Sequence, residues 1–240
     1  MSKVITTFLS SKSQQAYDAS SVTALSITSQ LSHSVRDVPL STGLDLPCGF
    51  LRDDQALVIR TPKGDRLDVQ STSLARWSDG SIKWTLLDFV APDVAPGTSS
   101  WNVERTDEAR AVSDEPVALS AGVIGIRLEN DYVVLRRGVQ ETRIEFVLTS
   151  NGGQKLRPQF AHQQVENTGP VRWTVMFDGE FPKSRGLRFT ARISTFHNTG
   201  HVKCEVKLHN PDRAIHKGGV WDLGDAGSIL FESFEMKCEL

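Results

Sequence analysis

Apolar and polar residues alternate with a period of two along most of this chain, the beat of strands that bury one face. The clearest run is 202–209, where Val202, Cys204, Val206 and Leu208 alternate with Lys203, Glu205, Lys207 and His209. Just upstream, Leu187, Phe189, Ala191 and Ile193 alternate with Arg188, Thr190, Arg192 and Ser194. Asn198-Thr199-Gly200 lies between them and supplies residues that tolerate positive φ, so the two runs are expected to pair as a hairpin. Similar runs cover 25–31, 56–60, 67–74, 82–90 and 101–105, then 117–119, 123–128, 132–135, 144–148, 159–165, 171–177 and 230–238. Pro62-Lys63-Gly64-Asp65, Ser78-Asp79-Gly80 and Asn151-Gly152-Gly153 punctuate them as turns. Helical spacing is confined to a weak pattern over 11–19. So many short strands with such punctuation predict an all-β chain of barrel or sandwich architecture.

The sequence Thr-Asp-Glu-Ala-Arg-Ala-Val-Ser-Asp-Glu at 106–115 is charged, almost lacks large apolar side chains and precedes Pro116. It divides the chain into an N-terminal segment over 1–21, a first β module over 22–106, a linker over 107–115 and a second β module over 116–240. A length of 240 residues gives each module enough chain for its own core. Leu230, Phe234, Met236 and Cys238 keep the apolar beat up to Leu240, the pattern expected of a chain that continues.

Composition removes several classes of function. With 39% hydrophobic and 23% charged residues the chain reads as globular, and a formal charge of −2 leaves no basic excess for nucleic acid or an anionic membrane surface. No apolar window is long enough to span a bilayer, and the start lacks a secretory signal, which makes a cytoplasmic location the expectation. Cys48, Cys204 and Cys238 are too scattered for a zinc or redox C-x-x-C motif, and no cofactor fingerprint or nucleophile elbow is present.

Two segments carry candidate chemistry. In 74–84, Trp77 and Trp84 flank the Ser78-Asp79-Gly80 turn. An exposed indole there suits a sugar ring, but the nearness of Ile82, Leu86 and Leu87 favours both rings filling the core. In 216–228, four glycines, two aspartates and a tryptophan describe a long structured loop, a common place for function. Asp222 and Asp225 are of the type to bind sugar hydroxyls, act as acid and base or hold calcium, and equally to cap turns and pair with Arg213 or Lys217. Their spacing fits no EF-hand loop. His201 and His209 lie about 25 Å apart along one strand and cannot share a metal ion. His197 and His201 face each other across the turn without an evident third ligand.

These segments resemble the exo-rhamnogalacturonan lyase-like family, also called YetA-like, which includes polysaccharide lyase family 26. The similarity is carried by Val38-Pro39-Leu40-Ser41-Thr42-Gly43-Leu44-Asp45-Leu46-Pro47-Cys48-Gly49-Phe50-Leu51 and by Ala75-Arg76-Trp77-Ser78-Asp79-Gly80-Ser81-Ile82-Lys83-Trp84 with Leu86-Leu87-Asp88-Phe89. It continues in Gly218-Gly219-Val220-Trp221-Asp222-Leu223-Gly224-Asp225-Ala226-Gly227-Ser228, and more weakly in Glu166-Asn167-Thr168-Gly169-Pro170-Val171-Arg172. The resemblance implies an N-terminal RIFT-type β-barrel followed by a β-sandwich, preceding a large C-terminal (α/α) toroid that completes the lyase. It implies β-elimination at a uronic acid for the full protein, and pectic oligosaccharide as its partner.

No catalytic residue is carried over, because the sequence ends where the sandwich would finish. The loop around Trp221, Asp222 and Asp225, with Arg213, His216 and Lys217 as carboxylate-binding or proton-transferring types, is the candidate carbohydrate surface. The expected role is the non-catalytic β portion of a rhamnogalacturonan lyase-like protein. The alternatives are a stand-alone carbohydrate-binding module using Trp77, Trp84, Trp101 or Trp221, and a structural assembly module.

Overall fold

The computed structural model describes residues 5–10, 21–107, 124–213, 215 and 225–239. The described residues contain strands and turns and no helix, so the chain is all-β. The weak helical pattern over 11–19 and the run at 117–119 lie outside them, as does the first residue of the run at 123–128. The chain divides into two units, one comprising Met1–Val117 with Gly169–Arg172 and the other Ala118–Thr168 with Trp173–Leu240.

The first unit contains β1 (Ile5–Ser10), β2 (Ser21–Ser29), β3 (Val35–Asp45), β4 (Ala56–Arg60), β5 (Arg66–Asp68), β6 (Gln70–Arg76), β7 (Ile82–Val94) and β8 (Gly97–Thr106). They form two antiparallel sheets, ordered β1-β2-β8-β4-β5 and β3-β7-β6. Period-two alternation turns Leu25 and Ile27 of β2, Leu57 and Ile59 of β4, and Trp101 and Val103 of β8 onto one core. Val38, Leu40 and Leu44 of β3 and Leu87, Phe89 and Ala91 of β7 meet them there.

Two differences from the sequence pattern have local causes. The run at 67–74 is two strands, because Arg66–Asp68 pairs with β4 while Gln70–Arg76 pairs with β7, so the chain changes sheets at Val69. β3 is a full strand although it contains Pro39. It lies at the edge of its sheet and pairs only with β7, where a missing N–H is tolerated.

The outer face of β7 holds a carboxylate that water does not reach. Asp88 is 0% exposed and points away from Leu87 and Phe89, in register with Ser41 of β3 and Gln70 of β6. The Ser41 hydroxyl donates to Asp88 Oδ1, and Arg172 Nη2 lies 3.2 Å from Asp88 Oδ2. Gln70 Oε1 accepts from the amides of Val171 at 3.0 Å and Arg172 at 2.8 Å, while its Nε2 donates to the Arg172 carbonyl at 3.1 Å. The segment packs so closely that a Cβ on Gly169 would sit 2.4 Å from the Gln70 side chain. An ionised carboxylate is very costly to bury alone, so these partners are what make the position possible.

The second unit contains β9 (Gly125–Glu129), β10 (Tyr132–Arg137), β11 (Gln140–Ser150), β12 (Lys155–Leu156), β13 (Gln159–Asn167), β14 (Arg172–Glu180), β15 (Arg188–Phe196), β16 (Val202–His209) and β17 (Phe231–Glu239). One sheet runs β12-β11-β10-β9 with β17 also paired to β11, and the other runs β13-β14-β15-β16. They face each other as a sandwich. Phe189 is its hub, with ring centroids 4.8 Å from Phe146, 5.7 Å from Phe181, 5.8 Å from Phe160 and 6.3 Å from Phe234. The expected β15–β16 hairpin is present, with Ile193 opposite Cys204 and Ala191 opposite Val206. Asn198 and Gly200 both take positive φ in its turn, 61° and 76°.

Removing either side of the buried pair deprives the other of its counterion, so Asp88→Ala and Arg172→Ala should each lower unfolding stability by about 3–5 kcal/mol. Urea denaturation followed by far-UV circular dichroism checks this, and a loss below about 1 kcal/mol, the range of an exposed pair, would contradict the assignment.

Candidate functional site

Strand alternation in the second unit sorts charge onto one sheet face. Because Val175 and Phe177 point inward on β14, Asp178 and Glu180 alternate outward. Because Phe189 and Ala191 point inward on β15, Arg188 and Thr190 face the same outer side. The hairpin register then sets His209 opposite Arg188 and Lys207 opposite Thr190, and the β13–β14 pairing sets His162 opposite Asp178. Together these side chains line an open depression of about 680 Å³.

Two backbone features shape its β13–β14 wall. The β13–β14 register shifts between Phe160 and His162, a bulge that re-aims His162. Gly179 lies where a Cβ would come 2.1 Å from the Gln159 carbonyl oxygen, so only glycine permits this close approach.

The charges on this face are paired at one end and unpaired at the other. Arg192 holds Glu166 through two hydrogen bonds of 2.7 and 2.8 Å, and Lys203 lies 3.1 Å from Glu205. Hydrogen bonding to Glu166 is the main reason the Arg192 guanidinium holds its proton more tightly than usual. Among the described residues, neither Arg188 nor Lys207 has a carboxylate within ion-pair reach. They are diagonal neighbours, about 7 Å apart at their Cβ atoms. His162 Nδ1 is 4.0 Å from Asp178 Oδ1, beyond hydrogen-bond length. The face therefore offers two cations for an anionic group, with carboxylates and imidazoles beside them as hydrogen-bonding partners.

His209 also borders a second open depression of about 660 Å³, formed with Asn210, Asp212, Ser228, Ile229 and Leu230. The glycine- and aspartate-rich segment 216–228 expected to be functional ends here, at Ser228. Asp225 is a cap: its carboxylate accepts from the Ile215 amide at 3.1 and 3.2 Å and from the Gly227 amide at 2.7 Å. Asn210 Nδ2 donates to the Gly227 carbonyl at 2.9 Å. Arg185 pairs with Asp212 at 2.6 Å and donates to the Ser228 carbonyl at 3.2 Å. Arg213 is exposed on this segment. Trp221, Asp222, His216 and Lys217 lie outside the described residues. The sequence reading missed Arg188, Lys207, His162, Asp178 and Glu180, although counting outward from the Asn198-Thr199-Gly200 turn already sets Arg188 and Lys207 side by side.

The tryptophans correct the expectation that Trp77 and Trp84 both fill the core. Trp84 is 43% exposed, because β7 alternation turns it to the face opposite Leu87 and Phe89. Trp77 is half-buried; its indole N–H donates to the Leu46 carbonyl at 3.0 Å and Lys83 Nζ sits 4.4 Å from its ring centroid. Trp101 is buried beside Phe89 and is withdrawn as a stacking platform. The turn between Trp77 and Trp84 closes through Gly80, φ 83°, and through Asp79, which accepts from the Ser81 hydroxyl at 2.6 Å and amide at 3.0 Å. Those bonds, with smaller contributions from Cys48 and Arg52, hold the Asp79 carboxyl below the usual carboxylate range.

A two-sheet barrel followed by a sandwich, both all-β, is the class of protein these features define. Residues 29–103 match the PcRGLX-like N-terminal RIFT barrel domain. The match runs from the end of β2 into β8, so this stretch of the first unit is similar to the N-terminal RIFT barrel of rhamnogalacturonan lyase-like proteins. No curated protein matches the chain.

Two outcomes test the local geometry. Since the folded-state pKa of Asp79 is depressed, its stabilisation is present above the ordinary carboxylate range and lost as pH falls through the depressed value. Melting curves of Asp79→Asn should fall below wild type near neutrality and converge with it in acid; a constant gap would contradict this. Gly179→Ala should cost about 1–3 kcal/mol in denaturant unfolding, as an overpacked site does.

Proposed function

We propose that the chain is the β portion of a rhamnogalacturonan lyase-like protein, a scaffold without elimination activity of its own whose second unit holds a pectic oligosaccharide by its uronate carboxylates. The observation that carries the carbohydrate part is the pair Arg188 and Lys207, two neighbouring cations beside His209 that have no carboxylate within ion-pair reach among the described residues. A guanidinium and an ammonium are suited to carboxylates, with charge-assisted hydrogen bonds roughly twice as strong as neutral ones. Asp178 and Glu180 accept from ring hydroxyls. In this reading, a C-terminal (α/α) toroid supplies the elimination chemistry.

Calorimetric titration with rhamnogalacturonan oligosaccharides tests the site. Arg188→Ala and Lys207→Ala should each weaken binding about tenfold, the scale of one charged hydrogen bond, and oligosaccharides with reduced carboxyl groups should not bind. Unchanged affinity in the double variant would remove the site. Absorbance of the unsaturated uronate should stay flat when the chain alone meets rhamnogalacturonan, and sustained release would overturn the scaffold role.

The exposed Trp84 favours a second reading, a stand-alone carbohydrate-binding module. That reading requires Trp84→Ala to abolish binding while Arg188→Ala leaves it intact.

A further inference from the structure

Two of the three cysteines occupy facing edges of the sandwich. Cys204 lies on β16, the terminal strand of its sheet, opposite Ile193 of the core. Cys238 lies on β17, which among the described residues pairs with β11 alone and sets Cys238 opposite Ile144, another core residue. Cross-strand partners share a face, so both thiols point into the space between the sheets. Cys204 packs against the core, while Cys238 is exposed at the margin.

Independent contacts bring the two strands together. Phe234 of β17 lies 6.3 Å from Phe189 of β15, and Leu230, just before β17, lines the same depression as His209 at the end of β16. Burial pushes the Cys204 thiol up to about 11, and Cys238 is close enough to add to that effect. Cys48 is exposed in the first unit, outside this pair.

We propose that Cys204 and Cys238 are a disulfide site that staples the open margin of the sandwich when the chain meets an oxidised thiol pool. Facing sheets of a sandwich are bridged in this way in immunoglobulin domains. With glutathione disulfide as oxidant, the exposed Cys238 thiolate attacks one sulfur, forming a mixed disulfide and releasing a glutathione thiolate. Cys204 then gives its proton to solvent and attacks the Cys238 sulfur; the bond to glutathione breaks and the second glutathione leaves as thiolate and is protonated. The two protein thiols lose two electrons and glutathione disulfide gains them. The new bond closes a covalent ring around the segment that carries His209, Asp212 and Asp225.

The test incubates the full chain with glutathione disulfide and follows intact mass and non-reducing peptide maps. Cys48→Ala should lose two hydrogens with the peptides of Cys204 and Cys238 linked, wild type should show the same link with at most one further glutathione on the exposed Cys48, and the urea midpoint of each should rise and return on adding dithiothreitol. Cys204→Ser in the Cys48→Ala background should stop at one glutathione adduct on Cys238. Wild type that stays reduced, that retains glutathione on Cys238, or that links Cys48 instead overturns the proposal.

Discussion

A carboxylate withdrawn wholly from water sets the condition that the first unit must meet. Asp88 sits among the strands of an otherwise ordinary sheet, and Ser41 and Arg172 converge on its charge. Gln70 does the complementary work on the backbone, satisfying two amides and a carbonyl of the segment that carries Arg172. The arrangement explains the small residue at Gly169, and it gives structural work to several residues in the segments that resemble the lyase family. Ser41, Asp88 and Arg172 are among them, held together by hydrogen bond and ion pair.

The second unit works differently, through apolar packing that orients polar groups. Phe189 is locked among four other aromatic rings, so its neighbours Arg188 and Thr190 have no choice but the outer face. A sheet held this firmly from behind presents its side chains at fixed spacing, which suits recognition of a ligand with regularly placed carboxylates. The bulge in β13 re-aims His162, and the bare Gly179 lets the β13 and β14 backbones approach closely.

Strand character was legible in the alternation itself. The 202–209 run and its partner fell where the pattern put them, because one buried face leaves no freedom of register. β3 escaped notice because Pro39 reads as a breaker until its edge position is known. The Asp88 partners were hidden for another reason: Gln70 and Arg172 are 102 residues apart, and no local pattern encodes such a pairing. Trp84 misled because apolar neighbours in sequence are not neighbours in space on a strand, where adjacent residues face opposite ways. The charged face was present in the sequence as alternating Arg and Lys, but a polar beat looks like ordinary solvated surface until the strands are laid side by side.

The division of the first unit along the chain bears on its biosynthesis. The family match ends at residue 103, yet Arg172 belongs physically to the barrel. During synthesis the ribosome must deliver nearly seventy more residues before the Asp88 carboxylate meets its counterion. Until then the nascent barrel either keeps that carboxylate in water or takes up a proton, and its last step of closure waits for chain that is made with the second unit. The two units are distinct as packed bodies but not as products of translation.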